Sequence, residues 1–547
     1  MRNKISTIFT KYDFVLPIII FILFLCASLP GIEWGAPGLW NPDELVWRVE
    51  SAFNGELIFD ETEPDFNYPS LPKYVMYAIG TIVYGIGYSQ FAFIVSARIF
   101  SALLGAISGI LIYYLARNIS ASKSTAFLAG VFYVMSGIVA ENGRYAHNDL
   151  YLQLFSILCV FFIVRYQQTK NLTWLFYSFF AVGLAASSKY TGGSLILLPI
   201  CVFILLRWNE IRSIWFSIAK NLFLGGFISF LGYSLGTPKA LFEPIYYFSK
   251  VIPALRNYPQ YGFNSGSPIG LIGQWSVFEA AVGVFSYYLF VIAFVWFAIR
   301  FILWNLKPNQ VHLLYAQPIG VMLLAIIIFD LPFLISINYI PRYFIPFIPF
   351  LAILAALFIA ELYEITQNKK LLFTKAMINI LLCIGIFYST LRLVSISLLF
   401  LNDARVPATQ YLDTVRGFQK SIEYTLYPPN IEKRKFERAH NYPIYFVKYP
   451  TDIVPVGGRY EYNQGEKGLL ERNTDYFVID SLTYERFYTD SICQTNIIEC
   501  EFFKKLLMEE ITSFRLIKKF TYSLPPYLPQ VYVRGVNPEI RIYEQIR

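Results

Sequence analysis

Charge is scarce in this chain: Asp, Glu, Lys and Arg together make up 15% of its 547 residues. Soluble domains carry about 25%, so an ordinary water-exposed globule is excluded. Histidine is scarcer, at three residues, and the six cysteines show no spacing with histidine that resembles a zinc site. Cys26, Cys159, Cys201 and Cys383 lie inside apolar runs, where a thiol behaves as a small hydrophobe. Cys493 and Cys500 lie in a polar tail, where a short-loop disulfide and two unpaired thiols are both open. There is no internal repeat and no low-complexity tract. The first apolar run ends in Leu29-Pro30-Gly31-Ile32-Glu33 without a small-x-small cleavage site, so it reads as a retained span rather than a signal peptide.

Apolar sequence is abundant. The chain is 56% hydrophobic and 18% aromatic, and its apolar runs recur at span length, which predicts a polytopic helical membrane protein. The runs are Phe14–Pro30, Phe91–Ala116, Thr125–Ala140, Leu150–Tyr166, Leu172–Ser187, Ser194–Leu206, Ile214–Leu235, Ala280–Leu303, Leu313–Ile335, Tyr343–Leu362 and Leu371–Leu401. Leu71–Gly87 has two readings: a span, or a segment lying along the outer surface. With it outside, the inner loops hold Arg2, Lys4 and Lys11; Arg117 and Lys123; Arg165 and Lys170; Arg207 and Arg212; Arg300 and Lys307; and Lys369, Lys370 and Lys375. The positive-inside rule then predicts a cytoplasmic N-terminus, about eleven transmembrane helices and an extracytoplasmic tail. The formal charge of +8 is thereby explained by orientation, and a nucleic-acid partner is excluded.

Two domains are expected: 1–401, all-α and in the membrane, and 402–547, a small extracytoplasmic α/β domain. In the tail Tyr445–Lys448, Tyr476–Asp480, Phe514–Tyr522 and Glu539–Tyr543 read as strands, and Phe502–Glu510 as a helix. The outer loops are Gly31–Gln90, Glu141–Asp149, Ser188–Gly193, Gly236–Glu279 and Ser336–Arg342.

Two polar knots fall on that outer side. One is Asn41-Pro42-Asp43-Glu44; the other is Arg144-Tyr145-Ala146-His147-Asn148-Asp149. Three cations, Arg98, Lys189 and Arg342, are expected near the same face. Each taken alone fits a long side chain reaching toward lipid headgroups. Together with the carboxylates they suit a reaction on a phosphorylated lipid: cations hold the leaving phosphate and a carboxylate takes a proton from the nucleophile.

The pattern resembles the GT-C glycosyltransferases, and within them the family 39 group, the dolichyl-phosphate-mannose–protein mannosyltransferases and their bacterial relatives. The similar elements are, in order, Trp40-Asn41-Pro42-Asp43-Glu44, Tyr68-Pro69-Ser70-Leu71-Pro72-Lys73-Tyr74, Arg98, Arg144 to Asp149, Ser188-Lys189-Tyr190-Thr191-Gly192, Arg342-Tyr343-Phe344-Ile345-Pro346 and Asn402-Asp403-Ala404-Arg405. The tail does not resemble the sugar-binding trefoil of the eukaryotic protein mannosyltransferases. The resemblance implies a GT-C fold and transfer of a hexose or pentose from a polyprenyl-phosphate donor to a hydroxyl of a lipid, glycan or protein acceptor in the cell envelope. It implies Asp43 as general base, Glu44 beside it as a sugar-holding or orienting catalytic residue, and Arg98, Lys189 and Arg342 on the donor phosphate. His147, Asp149 and Arg144 would bind sugar or acceptor. Asp43, His147 and Asp149 are of types that bind a divalent ion, but the resemblance implies no metal and no other cofactor. A flippase for a polyprenyl-linked sugar is the alternative; such transporters more often show paired halves with ionisable groups at the midplane. A polymerase of the O-antigen type fits less well, because its termini are cytosolic.

Overall fold

The computed structural model describes residues 14–38, 40–53, 68–120, 122–210, 212–257, 270–306, 310–334, 339–442, 465–488, 490–495 and 497–546. Arg2, Lys4, Lys11, Lys307 and the expected strand Tyr445–Lys448 lie outside the described residues.

Every expected apolar run is mainly helical where described, with breaks at 136–137, at Gly283 and at 345–347. In a hydrocarbon medium each backbone N–H and C=O needs an internal partner, and the α-helix supplies it within one segment. Among the described residues six helices are long and apolar enough to cross a bilayer: Gln90–Ser120, Asp149–Thr169, Trp215–Gly236, Val284–Leu303, Ile348–Asn368 and the helix that begins at Leu372. Shorter apolar helices run over Val15–Ser28, Lys123–Met135, Leu172–Ser188, Tyr190–Leu206 and Gln317–Phe333. The segment with two readings is a helix, Leu71–Gly85, whose buried Lys73 donates to the Tyr68 carbonyl at 2.9 Å. Local chemistry sets the tight turns. Ser122 and Asn171 cap the helices that follow them by accepting from Thr125 N–H and Thr173 N–H. Helices Leu172–Ser188 and Trp215–Gly236 approach through small residues: a Cβ on Gly183 would lie 2.0 Å from the Ser229 carbonyl oxygen. Phe216, Phe223 and Leu235 on one helix, and Phe373, Ile384 and Phe387 on another, are largely exposed, which is the surface lipid tails would cover.

The chain forms two compact units. One holds the helices up to Val394 except for Glu33–Pro42; the other holds Glu33–Pro42 and the chain from Ser395 onward. The second unit carries a five-stranded sheet: β1 (Ser421–Tyr424), β2 (Arg438–Asn441), β3 (Tyr476–Asp480), β4 (Phe514–Phe520) and β5 (Ile540–Gln545), in the order β2-β1-β3-β5-β4. β2, β1 and β3 are mutually parallel; β5 runs antiparallel to both β3 and β4. Both faces of the sheet are covered. Phe477 and Ile479 pack with Phe502, Phe503 and Phe514 on one side; Tyr476 and Val478 pack with Leu412, Ile422 and Ile542 on the other. β3, β4 and β5 fall close to the expected strands, and helix Ile497–Leu507 close to the expected helix.

Glu33–Pro42 is held in this unit by a fully buried ion pair. Arg405 donates to both Asp403 carboxylate oxygens, at 2.9 and 2.7 Å. Asp403 Oδ2 also accepts Trp34 Nε1–H at 2.9 Å and Asn537 N–H at 2.6 Å. The Arg405 guanidinium lies 5.0 Å from the Trp34 ring and 4.3 Å from the Trp40 ring. Arg405 Nη2 also donates to the Gly535 carbonyl at 2.9 Å, so most of the pair's hydrogen-bonding capacity is met by groups of the same unit, as a dehydrated ion pair requires, while the buried Nη1 makes no hydrogen bond among the described residues.

Cys493 and Cys500 form a disulfide. Closing so short a loop contributes about 2 kcal/mol. Replacing both cysteines by Ser is therefore expected to lower the thermal midpoint of the tail. A wild-type melting curve unmoved by reductant, with both thiols open to labelling, would contradict the bridge.

Candidate active site

The first unit brings Asp43, His147, Asp149, Lys189 and Arg342 together. Asp149 opens the helix Asp149–Thr169, where the unsatisfied N–H groups of the first turn favour an anion. Its carboxylate is buried. Lys189, at the C-terminal cap of helix Leu172–Ser188, donates to Oδ1 at 2.6 Å. His147 Nδ1 lies 2.8 Å from Oδ2, and Arg342 Nε lies 3.8 Å from the same oxygen. Arg342 sits in the short turn Pro341–Phe344 and reaches on to Asp43, donating to Oδ2 at 2.8 Å. The Asp43 side chain is 46% exposed and the Asp149 side chain 1%. One carboxylate therefore faces the open part of the site and the other anchors its cations.

Backbone contacts fix the segments that carry these groups. Leu45 N–H donates to the Ala146 carbonyl at 3.0 Å, joining the two polar knots. Asn148 donates to the Ser188 carbonyl, next to Lys189. Gln153 donates to the Ile345 carbonyl and accepts from Tyr133, which ties the Arg342 turn to the helix behind Asp149. Lys189 is further held 4.9 Å from the Tyr343 ring. Tyr68 meets the His147 ring edge-on at 5.7 Å.

Three expected site residues are committed elsewhere. Glu44 and Arg98 form a bidentate ion pair at 2.8 and 2.7 Å with both side chains fully buried. Glu44 also accepts Ala146 N–H at 2.8 Å, and Arg98 donates to the Ile32 carbonyl at 2.9 Å. The reason is desolvation: a cation inside an apolar helix needs a partner at once, and Glu44 supplies it. Arg98, expected on the donor phosphate, and Glu44, expected beside the base, are thus paired with each other and fully buried. Arg144 is buried and donates to the carbonyls of Pro30, Ala140 and Ala27 at 2.8, 3.0 and 2.7 Å. Two of these carbonyls, of Ala27 and Pro30, lie at the end of helix Val15–Ser28.

Glu141 was not singled out by the sequence. Burial pushes its carboxyl up to about 7, against the pull of Arg392, Arg144 and Arg342. The available signal was an acid directly after an apolar run. Burial also lowers the His147 pKa below its ordinary value, and nearby Arg342 lowers it further. Coulombic attraction, led by Asp43, raises the pKa of Arg342 well above its ordinary value against the cost of burial. No three metal-binding side chains converge among the described residues; Lys189 and Arg342 stand beside the carboxylates instead.

Two outcomes follow from this geometry. Glu44→Leu leaves the Arg98 charge buried and should cost about 3–5 kcal/mol, whereas Glu44→Leu combined with Arg98→Met should regain more than half of that loss; thermal unfolding in detergent measures both. His147, with its folded pKa depressed, makes the unfolded chain the better proton binder below about pH 6.5. Stability therefore falls as pH drops through that range, and His147→Gln should shrink the loss in paired melts at pH 7.5 and 5.5.

Residues 76–236 match the family described as dolichyl-phosphate-mannose-protein mannosyltransferase. An uncharacterized protein of Aquifex aeolicus (strain VF5) is 29% identical over 180 residues, 31% of this chain and 34% of that one. The match thus spans about a third of that relative's length. The archaeal oligosaccharyltransferase AglB from Archaeoglobus fulgidus, in complex with an inhibitory peptide and a dolichol-phosphate, superposes with a TM-score of 0.51 at 10% identity, over 98% of this chain and 89% of that one. ArnT from Cupriavidus metallidurans bound to undecaprenyl phosphate superposes with a TM-score of 0.50 at 12% identity, over 96% and 97%. Over residues 76–236 the chain is thus similar to the dolichyl-phosphate-mannose-protein mannosyltransferases, and its fold is similar to those of AglB and ArnT.

Proposed function

We propose that the protein is an integral-membrane glycosyltransferase that moves a sugar from a polyprenyl-phosphate donor to an acceptor hydroxyl on the extracytoplasmic side, with inversion. The observation that carries this reading is the charge chain Asp43–Arg342–Asp149–Lys189, in which a partly exposed carboxylate sits 2.8 Å from an arginine that a second, buried carboxylate helps to hold. The match over residues 76–236 supports a transferase of this class. The dolichol-phosphate on AglB and the undecaprenyl phosphate on ArnT support a polyprenyl-phosphate donor. The disulfide in the tail supports an oxidising compartment for it.

In this reading the donor phosphate competes with Asp43 for Arg342, and Lys189 adds a second positive charge. Arginine and lysine so placed neutralise the charge that builds on the leaving phosphate. Release from Arg342 leaves Asp43 able to accept the proton of the acceptor hydroxyl. The acceptor oxygen then attacks the anomeric carbon. The bond from that carbon to the phosphate oxygen breaks, and its electron pair leaves with polyprenyl phosphate. Inversion requires base and leaving group on opposite sides of the sugar, as in inverting glycosidases.

The test uses purified full-length protein with a panel of dolichyl- and undecaprenyl-phosphate sugars carrying a labelled hexose or pentose, and membrane extract as acceptor source. Asp43→Asn should lower transfer about 10²–10⁴-fold while retaining the donor. Arg342→Ala should weaken donor retention. Transfer by Asp43→Asn at the wild-type rate would remove the base from this reading; lipid movement across vesicles in place of transfer would indicate a transporter.

A further inference from the structure

The three parallel strands of the second unit carry a feature that the proposed chemistry leaves unused. From β1 the chain goes to β2 on one side and later returns to β3 on the other, so the strand order reverses between β1 and β3. Crevices beyond the carboxyl ends of parallel strands at such a reversal are where open α/β sheets bind ligands. Here that position holds two adjoining pockets that share Tyr427 as a wall.

The first pocket, of about 200 Å³, follows the end of β1 and is lined by Trp40, Pro42, Tyr424, Tyr427, Asn430 and Lys433 among others. The second, of about 260 Å³, follows the end of β3 and is lined by Tyr427, Glu485, Arg486, Tyr532 and Arg534 among others. The wall between them is built, not loose. Asp480, the last residue of β3 and fully buried, accepts the N–H groups of Tyr427 at 3.0 Å and Thr483 at 2.8 Å, and the Thr425 hydroxyl. Arg486 donates to the Tyr427 hydroxyl at 3.1 Å and lies 5.7 Å from its ring. Asn430 is held through its N–H to Thr409 and its amide to the Gly35 carbonyl.

We propose that this double pocket is a binding groove for an anionic saccharide, the acceptor end of the transferase proposed above, on which this assignment rests. The amphipathic rings of Tyr427 and Tyr532 suit the faces of sugar rings, with the buried Trp40 and Tyr424 as apolar backing, while the Asn430 amide and the tyrosine hydroxyls offer polar partners. Lys433, Arg486 and Arg534 against the single carboxylate of Glu485 leave the lining positive, which selects a phosphate- or carboxylate-bearing ring. The lining is mostly side-chain rings and charges. A peptide would instead look for an exposed strand edge or an apolar helix groove.

The test is binding by detergent-purified full-length protein. The probes are a glucuronate trisaccharide, the neutral trisaccharide maltotriose, and a Ser- and Thr-rich dodecapeptide. The glucuronate probe should bind at least tenfold tighter than maltotriose. Arg486→Ala with Arg534→Ala should weaken it tenfold or more. Arg534→Ala, a change at an exposed side chain, should do so in part with the melting curve unmoved. Asp43→Asn should bind the probe as wild type does. Equal binding of the two saccharides, preference for the peptide, no binding at all, or no effect of the arginine changes would each overturn the groove. Loss of the groove with Asp43-dependent transfer intact leaves the transferase standing; binding that persists while Asp43→Asn transfers normally does the reverse.

Discussion

The Asp149 carboxylate is the constraint around which the first unit's cluster of charges closes. A buried anion needs charge and hydrogen bonds around it, and one helix cannot supply them. Asp149 Oδ1 takes a charged hydrogen bond from Lys189 at the end of another helix, while His147, two residues earlier, lies 2.8 Å and Arg342, in a turn nearly two hundred positions on, 3.8 Å from Oδ2. Three segments distant in the chain are thereby drawn to one point. Arg342 spends only part of its guanidinium there, and its other face meets Asp43. The buried acid thus positions the cation that the exposed acid uses.

Asp43 and Glu44 are adjacent in sequence and opposite in environment. Glu44 is sealed with Arg98 and bonded to the Ala146 backbone, so it behaves as a peg that fixes the loop. Asp43, one residue earlier, is nearly half exposed. Removing one partner of the sealed pair leaves a buried charge and acts on stability, whereas a change in the open pair acts on whatever enters beside it. An acidic dipeptide at the start of a loop therefore sets a sealed carboxylate and an open one on either side of a single peptide bond.

Much of this was legible in the chain. The apolar runs gave every long helix, because hydrocarbon forces an apolar run to be helical. β3 was legible from its continuous Tyr476–Asp480 pattern, a strand buried on both faces. β1 and β2 were not: Ser421–Tyr424 is four residues long and Arg438–Asn441 is polar and mostly exposed, so their pairing comes from neighbours in space. The acids and cations of the site were legible as a set, but their pairing was not. Composition does not say whether a buried arginine is met by a carboxylate, as Arg98 is, or by three carbonyls, as Arg144 is. Glu141 escaped notice for the same reason, since its burial is a property of packing.

The sequence match and the fold divide the site in an informative way. Residues 76–236 contain His147, Asp149 and Lys189, the half that anchors charge. Asp43 lies before that stretch and Arg342 after it, as does the whole sheet of the second unit. A scaffold that keeps its fold at 10–12% identity constrains side-chain volume and charge pairing far more than residue identity. The anchor must stay, because an unpaired buried carboxylate would cost several kcal/mol. The surfaces that meet ligands carry no such penalty, so sequence there is free to follow the substrate. Substrate identity is accordingly to be sought outside the matched stretch: in the open Asp43–Arg342 pair, and in the aromatic and cationic crevice where the strand order of the tail reverses.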